Sequence, residues 1–211
     1  MATTTKGLSA SYTGVRYGIA ENTARLFMHK VREAMKPSGN NPIAGRVNVD
    51  EFVVGGKETG KQGRSYTSKK KKAVCAVELT TDGKVKRFYA LRIDDFSSKS
   101  LKVLFEKHIN KDAKVTTDEW KGYRLIAKDY DIEQIPSLYG LNFKALHTMI
   151  HQVKTGLRTT FSWISPKHIN RYFDEFSYRI NRSQSKQTIF NNLINRMAAS
   201  GKIYHKEIIC S

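Results

Sequence analysis

Residues 46–56, RVNVDEFVVGG, set a carboxylate inside a run otherwise built to be buried. Val47, Val49 and Phe52 mark a strand with apolar positions, and Asp50 interrupts it. Burying an unpaired charge costs several kcal/mol, so an acid in such a place has a metal, a cation or a strand-end position to offset it. Downstream, KKAVCAVELTT (71–81) and VKRFYALRI (85–93) are two further strand-like runs. The Asp82-Gly83 pair between them predicts a hairpin. SKSLKVLFEKHI (98–109) then turns Leu101, Leu104, Phe105 and His108 or Ile109 to one helical face. AKVTTDEW (113–120) is a short strand that ends at Asp118. KGYRLIAKDY (121–130) reads as a short helix and IEQIPS (132–137) as a strand. FKALHTMIHQVKTGLRTTF (143–161) and SPKHINRYFDEFSYRINR (165–182) both read as helices. This is the order of an α/β domain of the ribonuclease-H-like kind, a mixed sheet flanked by helices.

Upstream of the strands, residues 8–36 read as two helical patches around a break. The second, Ala20 to Met35, has Leu26, Phe27, Val31 and Met35 on one face and Asn22 or Thr23 as a candidate N-cap. The segment YGIAENTARLFMHKVREAM (17–35) looks like the second half of a helix-turn-helix, whose second helix would lie in a major groove. An ordinary helical hairpin accounts for the same pattern. KPSGNNPIAG (36–45), rich in Pro, Gly, Ser and Asn, reads as a linker.

Lys and Arg number 37 against 19 Asp and Glu, a formal net charge of +18. A polyanionic partner, nucleic acid above all, is the simplest account; a ribosomal-type RNA binder or a charged soluble surface would share the feature. The basic residues include the run Lys69, Lys70, Lys71 and Lys72, and beyond it Lys144, Lys154, Arg158, Lys167, Arg171, Arg179 and Arg182. Phosphate contacts are expected of them. Trp163 and Tyr172 read as core aromatics in preference to base-stacking platforms. The two cysteines, Cys75 and Cys210, make neither a disulfide framework nor a Cys-based zinc site, which fits a reducing cytoplasm. No apolar run has the length of a membrane span, and MATTTKGLSA lacks the apolar core of a signal peptide, so a soluble cytoplasmic protein is expected.

Asp118 repeats the situation of Asp50, and each is followed by a glutamate. Two strand-borne aspartates suit a shared site for Mg²⁺ or Mn²⁺, hard ions that take oxygen ligands and assist phosphoryl transfer. Two acids capping strand ends in water is the plainer alternative. Strand alternation sends Glu51 and Glu119 to the opposite face, away from such a site.

The segments VNVDEFVVGGK (47–57), TTDEWKGY (116–123) and KTGLRTTFSWISPKHINRYFDEFSYRINR (154–182) resemble the DDE transposases of the ISXO-like insertion-sequence group. The resemblance covers roughly residues 8–182, and the pairing of DEWKGY with SPKHINRYFDEFSYRINR is specific. It implies a ribonuclease-H-like core that cuts and joins double-stranded DNA, at transposon ends and target, with divalent metals, in a homo-oligomer assembled on the DNA. It also implies a division into a helix-turn-helix-like DNA-binding segment (1–36), a linker (37–45), a catalytic domain (46–182) and a C-terminal helical tail (183–211).

By the same resemblance, Asp50 and Asp118 are the first two metal ligands, and Lys154 is the basic residue that follows the third. That third ligand, usually Glu, stands seven positions before the lysine, where this chain has His147. Seven residues are about two helical turns, so His147 and Lys154 share a face. Imidazole tolerates Mg²⁺ less well than Mn²⁺ or softer ions. His147 is therefore an unusual ligand, a structural histidine, or the mark of a truncated or domesticated copy that binds DNA without cutting it. His151, Asn142 and Glu119 are the other residues that could take the third place, and His151 could also support His147 from behind. Relatives commonly carry a Cys-rich zinc ribbon before the helix-turn-helix, and this sequence has no such set of cysteines.

The charge balance leads to a first expectation. Affinity for duplex DNA should fall linearly in a log–log plot against salt, with a slope of about 0.9 per phosphate contact. A titration of binding across salt concentrations measures it, and salt-insensitive binding would remove the nucleic-acid reading.

Overall fold

The structure is a computed structural model that describes residues 1–2, 7–56, 58, 68–185 and 187–209. Lys57, at the end of the VDEFVVGGK segment, and Cys210 lie outside the described residues. The chain forms two compact units, Ser38–Lys154 and Met1–Pro37 with Thr155–Ser211.

The first unit is built on one sheet of β1 (Arg46–Val54), β2 (Lys71–Leu79), β3 (Val85–Ile93), β4 (Lys114–Thr117) and β5 (Ile132–Gln134). The spatial order is β3-β2-β1-β4-β5. β1, β2 and β3 pair antiparallel, whereas β1–β4 and β4–β5 pair parallel. This is the mixed sheet that the element order predicts, three antiparallel strands extended by two parallel ones. The β2–β3 connection turns at Gly83, whose φ of 77° suits glycine, with its N–H bonded to the Thr80 carbonyl. The predicted short helix over 121–130 is instead two 3₁₀ turns, Lys121–Tyr123 and Ile126–Lys128. Gly122, Tyr123, Ile126 and Tyr130 are buried from this stretch, at the spacing of one helical face that the sequence pattern carries, but the backbone is tightened into two separate turns.

One face of the sheet carries Val47, Val49, Val74, Ala76 and Val115 against Leu101, Leu104 and Phe105 of α3 (Ser98–His108), with Tyr123, Ile126 and Tyr130 closing the core. Both His108 and Ile109 are buried, and the His108 ring stacks on Tyr89 at 4.4 Å. Burial holds His108 neutral, lowering its pKa to about 4. From Ala73 to Glu78, β2 is buried on both faces, and Cys75 sits there as a buried free thiol whose pKa burial pushes up. Within the stretch read as a linker, Ile43 is fully buried, its N–H on the His108 carbonyl and its own carbonyl accepting from Asn110. Arg87 donates to the carbonyls of Asn41 and Pro42 at 3.1 Å each.

The second unit is helical: α1 (Ala10–Tyr17), α2 (Glu21–Met35), the last residues of α4 (Lys144–Thr160), α5 (Ile169–Ile180), α6 (Ile189–Ala199) and α7 (His205–Ile209). Ser9 caps α1, and Gly18 ends it in the left-handed conformation at φ 65°. A three-residue turn, Gly18–Ala20, leads to α2. The N-cap of α2 is Ala20, so Asn22 and Thr23 lie within its first turn and not before it. The buried stripe of α2 also differs from the expected one. It runs through Ala24, Met28, Val31 and Met35, and Phe27 is 54% exposed. The stripe is set by what α2 packs on: Val31, Ala34 and Met35 meet Tyr178, Ile189 and Leu193.

A buried ion pair ties α2 to α5. Arg32 Nε donates to Glu175 Oε2 at 2.8 Å, with the residues 1% and 2% exposed. Arg179 lies 3.9 Å from the other carboxylate oxygen, and the Arg32 guanidinium covers the Tyr172 ring at 4.1 Å. Tyr172 is therefore core, as expected, whereas Trp163 is 74% exposed. His29, buried against His168 and Tyr172, is held neutral, its pKa lowered to about 3 chiefly by burial. No helix among the described residues is long and apolar enough to cross a membrane.

Removing one partner of a buried pair leaves the other charge uncompensated, at a cost of about 3–5 kcal/mol. Glu175→Gln should lower the urea midpoint accordingly, and the paired change Arg32→Met with Glu175→Leu should recover most of the loss. Equal stability of Glu175→Gln and the parent would show that the pair contributes little.

Candidate active site

The sheet register builds the site. β1 and β4 run parallel with Val49 opposite Thr117, so the next residues along the two strands are Asp50 and Asp118. Asp50 stands opposite Cys75 on β2 and leaves the sheet on the face away from Val47 and Val49. Ladder pairing with β4 stops at Thr117, and the chain turns away: Trp120 N–H donates to Asp118 Oδ1 at 3.0 Å. Gln134, at the end of β5, donates to the Asp118 and Trp120 carbonyls at 2.9 and 3.0 Å and fixes that turn. The Glu51 N–H donates to Asp50 Oδ1 at 2.8 Å, leaving Oδ2 to face α4.

His147 lies on α4, and its Nε2 is 3.1 Å from Asp50 Oδ2. The hydrogen bond to Asp50 raises the imidazole pKa above its ordinary value, against a smaller opposing effect of burial. His147, expected from the resemblance at the third acid's place, thus touches Asp50 directly. Two donors to one octahedral ion, each about 2.1 Å from it, stand about 3 Å apart, so this pair has a spacing a divalent ion accepts.

Glu51 corrects the expectation from strand alternation. It does leave β1 on the Val47–Val49 face, where it is buried and accepts from Tyr123 Oη at 2.6 Å. Even so, one oxygen from each of Asp50, Glu51 and Asp118 lies within 4.8 Å of the other two. Alternation fixes where Cβ points, but β4 no longer pairs beside β1 at this level, and the longer glutamate side chain reaches the strand end. Glu119, by contrast, is exposed. Three carboxylates this close repel one another, and three hard oxygens form a donor set that fits a divalent cation, with the His147 imidazole at Asp50 on its edge. No sequence signal separates Glu51 from Glu119; the buried hydroxyl of Tyr123 makes the difference.

Behind His147 is a loop that sequence reading passed over. Gly140 has φ 90°, and a Cβ placed on it would come 2.3 Å from His147 Nδ1. The glycine is needed twice, for its backbone conformation and for the ring resting against it. Asn142, one of the alternatives for the third place, donates its side-chain amide to the Pro136 carbonyl at 2.7 Å, and His151 is exposed one turn beyond His147.

The basic residues differ in what engages them. Lys69, Lys144 and Lys154 are exposed, and Lys70 and Lys71 are half-buried. Lys72 donates to the Asp94 carbonyl at 3.2 Å. In the helical unit Arg158 and Lys167 are exposed. Arg171 is held by Glu33 at 3.2 Å and by the Ile208 carbonyl at 3.2 Å, so a phosphate would have to compete with partners inside the unit.

Gly140→Ala should push the His147 ring off Asp50. The imidazole pKa, followed by NMR in the metal-free protein, should then fall back toward 6.5, and Mn²⁺ affinity should drop about 10- to 100-fold, as for loss of other supports of metal ligands. An unchanged titration would mean that the ring does not depend on this contact.

Comparison with known proteins bears on what such a site belongs to. The ISXO2-like transposase domain matches residues 42–181, a stretch that holds Asp50, Asp118, His147 and Lys154. Among solved structures, the chain has a distant likeness to the "Mos1 transposase paired-end complex with left transposon end" at 10% identity. The match covers 88% of this chain and 74% of that one, with a TM-score of 0.25, too low to carry any argument. No curated protein matches. The family match spans well over half of the 211 residues, and the chain belongs to the ISXO2-like transposase domain family.

Proposed function

We propose that this chain cuts DNA at insertion-sequence ends and joins the freed strand to a target, with Asp50, Asp118 and His147 as the ligands of a divalent metal. The observation that carries the reading is that β1 and β4 bring the two aspartates side by side, with oxygens within 4.8 Å of each other, while α4 brings His147 to 3.1 Å from Asp50. A divalent ion, which membership of a DDE transposase family implies, supplies when bound a Lewis acid that offsets charge on the attacked phosphate.

The remaining roles fall to the protein's own groups. Asp50 and Asp118 offer carboxylate oxygens, and His147 offers Nε2 once the proton it shares with Asp50 has left. Tyr123 holds Glu51 from the core side, so that the third carboxylate keeps its place beside the two aspartates. Lys154, two turns after His147 and exposed, orients a DNA phosphate. Water, then a terminal 3′-OH, attacks phosphorus in line. A new P–O bond forms as the bond to the leaving oxygen breaks, without a covalent protein–DNA intermediate. Lys69–Lys72, Lys144, Arg158 and Lys167 contact the backbone. Residues 8–36, with their three-residue Gly-containing turn between α1 and α2, read the DNA.

Asp50→Asn and Asp118→Asn should each abolish strand cleavage of an end-containing duplex while leaving its affinity unchanged or slightly raised. His147→Ala should lose both Mn²⁺ binding and most cleavage. His147→Glu should shift the metal preference from Mn²⁺ toward Mg²⁺. Full cleavage by either aspartate variant would overturn the metal assignment. Binding without nicking in either ion by the unmodified protein would favour a DNA-binding copy that no longer cuts.

A further inference from the structure

The loop that supports His147 has a second side. Leu138, Tyr139 and Gly140 have φ of 45°, 55° and 90°, three successive residues in the left-handed region, of which only the last is a glycine. A bulky residue there is strained, and such strain persists only where the surroundings impose it. The bracing is visible: Gly140 N–H bonds to the Ser137 carbonyl at 2.9 Å, and the Asn142 amide bonds to the Pro136 carbonyl at 2.7 Å. Phe143 and the Gly140 backbone are buried, which pins the loop at its far end. The outcome is unusual for a chain in water. Leu138 is 55% exposed, Leu141 is 77% exposed, and the Tyr139 ring is fully exposed. A relaxed loop of this composition would fold at least one of these side chains inward.

We infer that Tyr139 is a stacking platform for an unpaired nucleobase at the DNA end being processed, with Leu138 and Leu141 as its apolar flanks. Three observations point to a base. The loop is next to the chemistry, since Gly140, the residue after Tyr139, rests on the ring of His147, whose other edge meets Asp50. The chain belongs to a transposase family and carries a net charge of +18, so the polymer brought to this site is DNA. An aromatic ring held clear of the protein matches the broadest flat apolar surface that DNA offers, the face of a base. Paired bases inside a duplex hide that face; a base at an end, or one drawn out of the stack, shows it. The inference rests on the proposed reading of Asp50, Asp118 and His147 as the site of DNA cleavage.

The test compares the full-length protein with Tyr139→Phe and Tyr139→Gly on two duplexes of one sequence, blunt or with a short single-stranded 3′ overhang. The overhang carries aminopurine, a fluorescent base analogue quenched by stacking, and no metal is added. The parent protein and Tyr139→Phe should quench the overhang and prefer it to the blunt duplex. Tyr139→Gly should lose the quenching and about 5-fold or more of that preference, the lower end of what a base–aromatic stack contributes. Its Tm should be unchanged or raised, because glycine accepts the left-handed conformation without strain. Its affinity for the blunt duplex should match the parent's. Quenching and preference retained in Tyr139→Gly would overturn the inference, as would Tyr139→Phe behaving like Tyr139→Gly, since the ring and not the hydroxyl does the stacking. Failure of every protein to bind the blunt duplex would instead overturn the underlying DNA reading.

Discussion

The parallel pairing of β1 with β4 is the constraint on which the candidate site depends. Val49 opposite Thr117 determines that Asp50 and Asp118 follow as neighbours on one face of the sheet. A slip of one residue would send one aspartate into the core beside Leu101 and Phe105. The register is held from outside the site by apolar burial of Val47, Val49 and Val115 on the α3 face. It is held at the end of the strands by Gln134, which locks the turn after Asp118. The candidate ligands thus stand at strand ends, and their placement depends on residues buried elsewhere in the sheet.

The helical unit divides its charges in a similar way. In SPKHINRYFDEFSYRINR the aromatic and acidic positions make the core: Tyr172, Phe173, Glu175 and Tyr178 are buried, and Glu175 anchors Arg32. A segment distinctive enough to mark the family is therefore distinctive largely for packing. Of its basic residues, Arg171 and Arg179 are drawn into ion pairs, while Lys167 is left exposed. A count of positive residues overstates how many can meet a phosphate, because some are committed to holding the unit together.

Much of the sheet was legible in the sequence. The alternation around Asp50, the Asp82-Gly83 turn and the Asp118 strand end each have a local cause, and the structure has all three. The partnership of Asp50 with His147 was readable only through resemblance, since 97 residues separate them and no local pattern links a strand to a distant helix. Glu51 leaves β1 on the face that alternation predicts, yet its carboxylate comes within 4.8 Å of the two aspartates, because alternation describes the direction of Cβ and not the reach of a side chain at a strand end. Phe27 and Trp163, apolar by type, are exposed because burial depends on which neighbour arrives. Leu138–Asn142 carry no pattern that marks them; that Gly140 must lie against His147 depends on a contact made seven residues later.

Cys75 sits opposite Asp50 in the β1–β2 ladder, wholly buried, with its sulfur 3.6 Å from the Asp50 carbonyl. Burial raises its pKa, so in the folded sheet the thiol is both shielded and protonated, two separate reasons for it to be unreactive. Separation of β1 from β2 removes both at once. The rate at which a thiol reagent modifies Cys75 is therefore a clock for opening of the strand that holds Asp50, and it runs without DNA, metal or any assay of cleavage.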